Sequence, residues 1–191
     1  MRFLRGYMNK KSAEKLQSDI WPDERDLFER PDRLKYVRKL VKPKGCVFCW
    51  ARDNWKDPLS LVLMRTQSMM VILNKYPYNN GHLLFLPKRH IADYHKLPDK
   101  DLAQMQILTK HSIKILEKVY KPQGFNMGMN LGKVAGAGIP DHLHQHLIPR
   151  WGGDTNFFPL IAQTKLVVET VEQSYNLLKP HFEKLEKKGV F

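Results

Sequence analysis

The sequence predicts an α+β domain: an antiparallel sheet of about five strands, with helices packed mainly on one face. Three observations predict it. Short apolar runs punctuated by turn residues fill the stretch 59–90 and read as strands. One long stretch after Pro98 repeats its apolar residues at helical spacing. Two further segments, 125–130 and 142–148, alternate with period two, as an extended chain with two different faces does. Elements of both kinds bury their apolar sides by stacking in layers. At 191 residues the chain fits one domain that can bury a core without disulfides.

Residues 1–45 are basic and weakly apolar, and are expected to form a helical arm on a main domain at 46–191. Pro22 and Pro31 interrupt the arm, while Leu34, Val37, Leu40 and Val41 give a short helical stripe. Cys46 and Cys49, the only cysteines, stand in Cys-Val-Phe-Cys. This spacing serves redox chemistry, a metal, or a plain reduced pair; Pro43-Lys44-Gly45 lacks the strand a redox motif wants, and zinc needs two more ligands. Leu61–Met64 and Met70–Leu73 read as strands, with Asn74 ending the second. Asn79-Asn80-Gly81 is a turn, and His82–Leu86 a third strand stopped by Pro87. Ile72 and Leu86 suit core packing or an apolar slot. His82 suits either a satisfied core position or one that orients a site.

Pro98-Asp99-Lys100-Asp101 opens a helix whose Leu102, Met105, Leu108, Ile115, Leu116 and Val119 share a side; Pro122 and Gly124 close it. The strand 125–130 puts Asn126, Gly128 and Asn130 on one face and Met127 and Met129 on a core face. The tail from about Val168 to Lys188 reads as an amphipathic helix broken or bent near Pro180.

The chemistry gathers in GIPDHLHQHLIPRWGG, residues 138–153. His142, His144 and His146 recur at every second position, so an extended chain sets the three imidazoles on one face. On a helix the same spacing would scatter them around the axis. Such a row offers a neutral nucleophile, a donor to phosphate oxygens and a metal ligand. The preceding Gly132–Gly138 is rich in small residues, which let backbone N–H groups approach an anion.

His142-Leu143-His144-Gln145-His146-Leu147-Ile148 resembles the motif of the histidine triad (HIT) family, with polar Gln145 at a position that is usually apolar. Asn130-Leu131-Gly132, the small-residue loop, Asn74–Pro77 and Gly81–His90 resemble the family's other segments, in order, over about residues 46–160. Pro149-Arg150-Trp151-Gly152-Gly153-Asp154-Thr155-Asn156-Phe157 looks most like the branch of bacterial diadenosine tetraphosphate phosphorylases. The resemblance implies a HIT-like fold and an enzyme that cleaves dinucleoside polyphosphates at the α-phosphate. His144 would be the nucleophile that forms a nucleotidyl-histidine, His146 a donor to phosphate, and His142 a shaping residue. Asn74 and Asn130 with Gly136, Ala137 and Gly138 would bind the nucleotide. A structural zinc would be held by Cys46, Cys49, His90 and His142. Water as acceptor gives hydrolysis and inorganic phosphate gives phosphorolysis. The same family also implies, as alternatives, an adenosine phosphoramidase, a nucleic-acid adenylate hydrolase and a nucleotide-binding protein without turnover. It further implies a homodimer.

The net charge of +13 suits an anionic partner or a solubilising surface. It is spread along the chain without a nucleic-acid-binding motif, so nucleic acid is a partner the sequence permits but does not support. No apolar run approaches the roughly 18 residues of a membrane span, and the N-terminus has no apolar core for secretion. The expected compartment is cytoplasmic.

Overall fold

The structure is a computed structural model that describes residues 45–154 and 169–189. The expected arm, apart from Gly45, and the segment Asn156–Pro159 lie outside the described residues. Five strands form one antiparallel sheet: β1 (Val62–Arg65), β2 (Met69–Leu73), β3 (Leu83–Pro87), β4 (Gly124–Met129) and β5 (Gln145–Arg150), in the order β1-β2-β3-β5-β4. The strand that carries His146 is therefore an inner one. Leu84 of β3 and Gly128 of β4 stand opposite His146.

Both faces of the central strands are covered. Val71, Leu73, Leu83, Phe85 and Leu147 turn to one face. There they meet Met105, Leu108 and Leu116 of α2 (Asp99–Tyr120) and Leu178, Phe182 and Leu185 of α3 (Val171–Lys187). Met70, Ile72, Leu84 and Leu86 turn to the other, against Phe48 and Ala51 of α1 (Val47–Asp53). Every residue of β2 and β3 is buried, so these strands read as continuous apolar runs rather than alternating ones. Gly81, at φ +71°, turns the chain into β3. A Cβ there would lie 2.8 Å from the Tyr120 ring, so α2 can pack this closely only on a glycine.

Three expectations are corrected. The histidine segment is not one strand: β5 begins at Gln145, and His142 and His144 precede it. There the Leu143 N–H bonds Ile91 O rather than a ladder partner. Met127 is 55% exposed rather than in the core: β4 is an edge strand, and on this face only Phe125 and Met129 pack partly against the core. The terminal helix runs from Val171 to Lys187 through Pro180 without a break. An interior proline costs a helix about 3 kcal/mol, but Leu178 and Phe182 on either side are fully buried and hold it in place. Gln145 is buried as the apolar pattern requires. Its amide donates to Thr109 Oγ1 at 2.9 Å and its carbonyl accepts from Gln106 Nε2 at 3.0 Å, which satisfies the polar end beneath α2.

Candidate active site

Although only His146 lies in regular strand, the three imidazoles share one side of the chain. The Phe48 ring of α1 packs against His142 and His144, with ring centroids 5.4 and 5.1 Å apart, and the His144 and His146 rings lie 5.0 Å apart. His142 is fully buried and His144 nearly so, while His146 is half-buried. Burial is the leading reason that all three ring pKa values fall, His142 and His146 to about 4. The rings are therefore neutral at physiological pH.

Hydrogen bonds then fix which nitrogen of each ring carries the proton. His144 Nδ1 donates to His142 O at 2.8 Å, so its Nε2 presents a lone pair. His142 Nε2 donates to Pro87 O at 2.9 Å, leaving its Nδ1 as the lone-pair atom. His146 is set from behind. The Tyr78 N–H occupies His82 Nδ1 at 3.1 Å, so the His82 proton sits on Nε2 and is given to His146 Nδ1 at 2.9 Å. The proton of neutral His146 is thereby left on Nε2, as a donor. His82 is fully buried and burial pushes its pKa down to about 3. Sequence reasoning left its role open. The available signal was its place two residues before Leu84, the residue opposite His146.

The lone pair of His142 Nδ1 faces two thiols, Cys46 Sγ at 3.3 Å and Cys49 Sγ at 3.7 Å, and Cys49 Sγ lies 3.4 Å from His90 Nδ1. All four donor atoms lie within 4.8 Å of one another. Two thiols and two imidazoles converging from three parts of the chain fit a tetrahedral zinc ion, with the Pro87 carbonyl fixing the tautomer of His142. Both thiols are free, and burial with the Cys46 contact raises the pKa of Cys49.

The expected nucleotide residues are arranged less uniformly. Asn74 is half-buried: its Oδ1 accepts the Tyr76 N–H at 2.9 Å and its Nδ2 lies 3.3 Å from His82 Nδ1. Asn130 donates to Gly136 O at 3.4 Å and braces the loop. Gly136, at φ +87°, and Ala137 already spend their N–H groups on Lys133 O and Gly132 O. Gly136 and Gly138 are exposed, as is Lys133. Arg150 is a fastener: it grips both Asp154 carboxylate oxygens at 2.8 and 2.7 Å and Asn126 Oδ1 at 2.6 Å.

Comparison with known proteins meets this geometry. A profile described as the HIT domain matches residues 58–153, half of the chain. The AP-4-A phosphorylase of Mycobacterium tuberculosis is 38% identical over 122 residues, 64% of this chain and 63% of that protein, so the chain spans less than two thirds of this relative's length. The adenosine 5'-monophosphoramidase hnt1 of Schizosaccharomyces pombe is 31% identical over 106 residues, 56% of this chain and 74% of that protein. Among solved structures, a zinc-bound histidine triad family protein from Mycobacterium smegmatis superposes with a TM-score of 0.60 at 26% identity, over 75% of this chain and 97% of that one. The profile spans the sheet from before β1 to beyond β5 and takes in all three imidazoles, and on that ground the chain belongs to the HIT family.

Proposed function

We propose that the protein is a nucleotidyl hydrolase or transferase that acts at the α-phosphate of dinucleoside polyphosphates such as diadenosine tetraphosphate. One observation carries the reading. His144 is neutral, with its proton engaged by His142 O, so Nε2 is free to attack. Attack forms a phosphorus–nitrogen bond and breaks the bond to the leaving nucleotide, whose oxygen takes the electron pair. His146 Nε2–H donates to a phosphate oxygen, where negative charge builds in the transition state. Asn74, Asn130 and the Gly136–Gly138 loop would hold the ribose and phosphates. The second acceptor then displaces histidine: water yields AMP and inorganic phosphate yields ADP. The similarity to a phosphorylase favours phosphate.

Cys46, Cys49, His90 and His142 would hold zinc. The ion would supply a structural clamp between α1, the end of β3 and the first triad histidine, and take no part in the chemical step. Free thiols suit the reducing cytoplasm. The β4 edge, unpaired on one side among the described residues, with exposed Met127, and exposed Ile107 on α2 support a homodimer.

The test is incubation with diadenosine tetraphosphate, with and without inorganic phosphate. Phosphate-dependent ADP, together with ATP, is expected; AMP in plain buffer assigns the hydrolase. Radiolabelled substrate should leave its adenylate on wild-type protein but not on His144→Ala, and an unlabelled wild-type protein that still turns substrate over would overturn the covalent step. The phosphoramidase alternative, prompted by the similarity to hnt1, predicts ammonia release from adenosine phosphoramidate.

A further inference from the structure

A recess opens at the amino-terminal end of α2, beside the turn between β1 and β2 and the end of β3. It has a volume of about 390 Å³ and is lined by Gln67, Ser68, Lys88, Arg89, Lys100, Asp101 and Gln104. Three of these are cations, and the amino-terminal turn of α2 adds its own positive end. The one acid is anomalous. Asp101 is only 2% exposed, and its Oδ2 has no hydrogen-bond partner. Chain chemistry explains why. An acidic side chain in the first helical turn commonly reaches back to the backbone N–H of the capping residue, but here the cap is Pro98, which has none. The nearest cation, Arg89 Nη2, stands 3.9 Å away, too far for a hydrogen bond, and its side chain is 54% exposed and able to swing.

A buried carboxylate oxygen without a donor is costly. The group that completes it must donate a proton to Asp101 while accepting protons from everything around it. Gln104 sharpens the requirement. Its Oε1 accepts from Thr66 Oγ1 at 2.6 Å and Ser68 Oγ at 2.9 Å, which leaves its Nε2 as a donor with no partner among the described residues. Lys88 Nζ spends two of its three protons, on Thr66 O and Gln67 O, and keeps one.

We infer that this recess binds a protonated oxyanion, the hydrogen-phosphate group of inorganic phosphate or of a small phosphomonoester. Asp101 Oδ2 is sealed from solvent as the side chains stand, so the exposed Arg89 would swing aside on binding; the P–OH would then donate to Asp101 Oδ2, and the other oxygens would take Lys88, Arg89, Lys100 and Gln104. Sulfate has the same shape but carries no proton at neutral pH, so it leaves Asp101 facing an oxygen lone pair. None of the lining residues belongs to the triad, so the site does not rest on the proposed turnover.

Calorimetric titration of the full chain at pH 6.5 tests this, with inorganic phosphate, ribose 5-phosphate and sulfate in separate runs. Phosphate or the ester is expected to bind at least tenfold tighter than sulfate, and whichever of the two binds tighter identifies the source. Asp101→Asn replaces the acceptor with a group that can donate, and should abolish the preference. Lys100→Met should weaken all anions several-fold and keep the preference. Equal binding of phosphate and sulfate by wild type, or an unaltered preference in a folded Asp101→Asn protein, overturns the assignment.

Discussion

At the scale of single residues, the site depends on where each imidazole keeps its proton. In the proposed reaction His82 would act chiefly through His146, whose Nδ1 it contacts at 2.9 Å, so His82→Ala should lower kcat about 10- to 100-fold with a smaller change in KM through its contact with Asn74, while His82→Gln, which can still donate, recovers part of the loss. Steady-state kinetics on both variants reads this directly. The same burial has a cost in acid. Folded His82 holds its pKa near 3 and His146 near 4, whereas an unfolded chain returns both toward 6.5. The unfolded state thus binds more protons throughout that interval, and stability falls as pH drops below about 6.5. At pH 4, His82 alone accounts for a loss of about 3 kcal/mol. Urea unfolding of wild type between pH 7 and pH 4 should show this slope, and His82→Leu should flatten it.

At the scale of elements, α1 and α3 are held in different ways. Helix α1 has only seven residues, too short to persist on its own, and Cys46 and Cys49 sit at its start and within it. Zinc binding should therefore order it and release protons from the thiols, because the raised pKa of Cys49 keeps that group protonated in the metal-free chain. Elemental analysis should find one zinc per chain in wild type, and Cys49→Ser should lose the metal and lower Tm. A metal-free wild type with unchanged Tm would remove the clamp. Helix α3 carries the opposite burden, an interior proline offset by Leu178, Phe182 and Leu185. Pro180→Ala should raise stability by about 1–3 kcal/mol, measured by thermal melting, since the new residue restores a backbone donor and good helix propensity.

At the scale of the whole molecule, the sheet is covered on both faces at β2 and β3 and ends at β4, which pairs with no further strand among the described residues. An open edge with an exposed methionine invites pairing with another copy. Met127→Lys should shift the protein toward monomer in sedimentation equilibrium. A monomeric wild type at the same concentration would end the dimer reading. Among the described residues no helix is long and apolar enough to cross a membrane.

Much of this molecule follows from the sequence by itself. Period-two spacing predicted that the three histidines share one side, and their rings do so although His142 and His144 precede β5; the apolar runs at 61–64, 70–73 and 82–86 announced strands, while their cover on both faces at β2 and β3 came from the packing of distant helices. The long helix was legible from its repeat. Tertiary structure decided what depends on partners distant in the chain. The convergence of Cys46, Cys49, His90 and His142 into one cluster that could hold a metal rests on contacts across up to 96 residues, which no local pattern records. The exposure of Met127 was decided by which strand lies at the edge, and the continuity of α3 through Pro180 by burial of its neighbours. The tautomer of His146 was decided by a ring 64 positions away, since a proton's place on an imidazole is set by what stands opposite it in space.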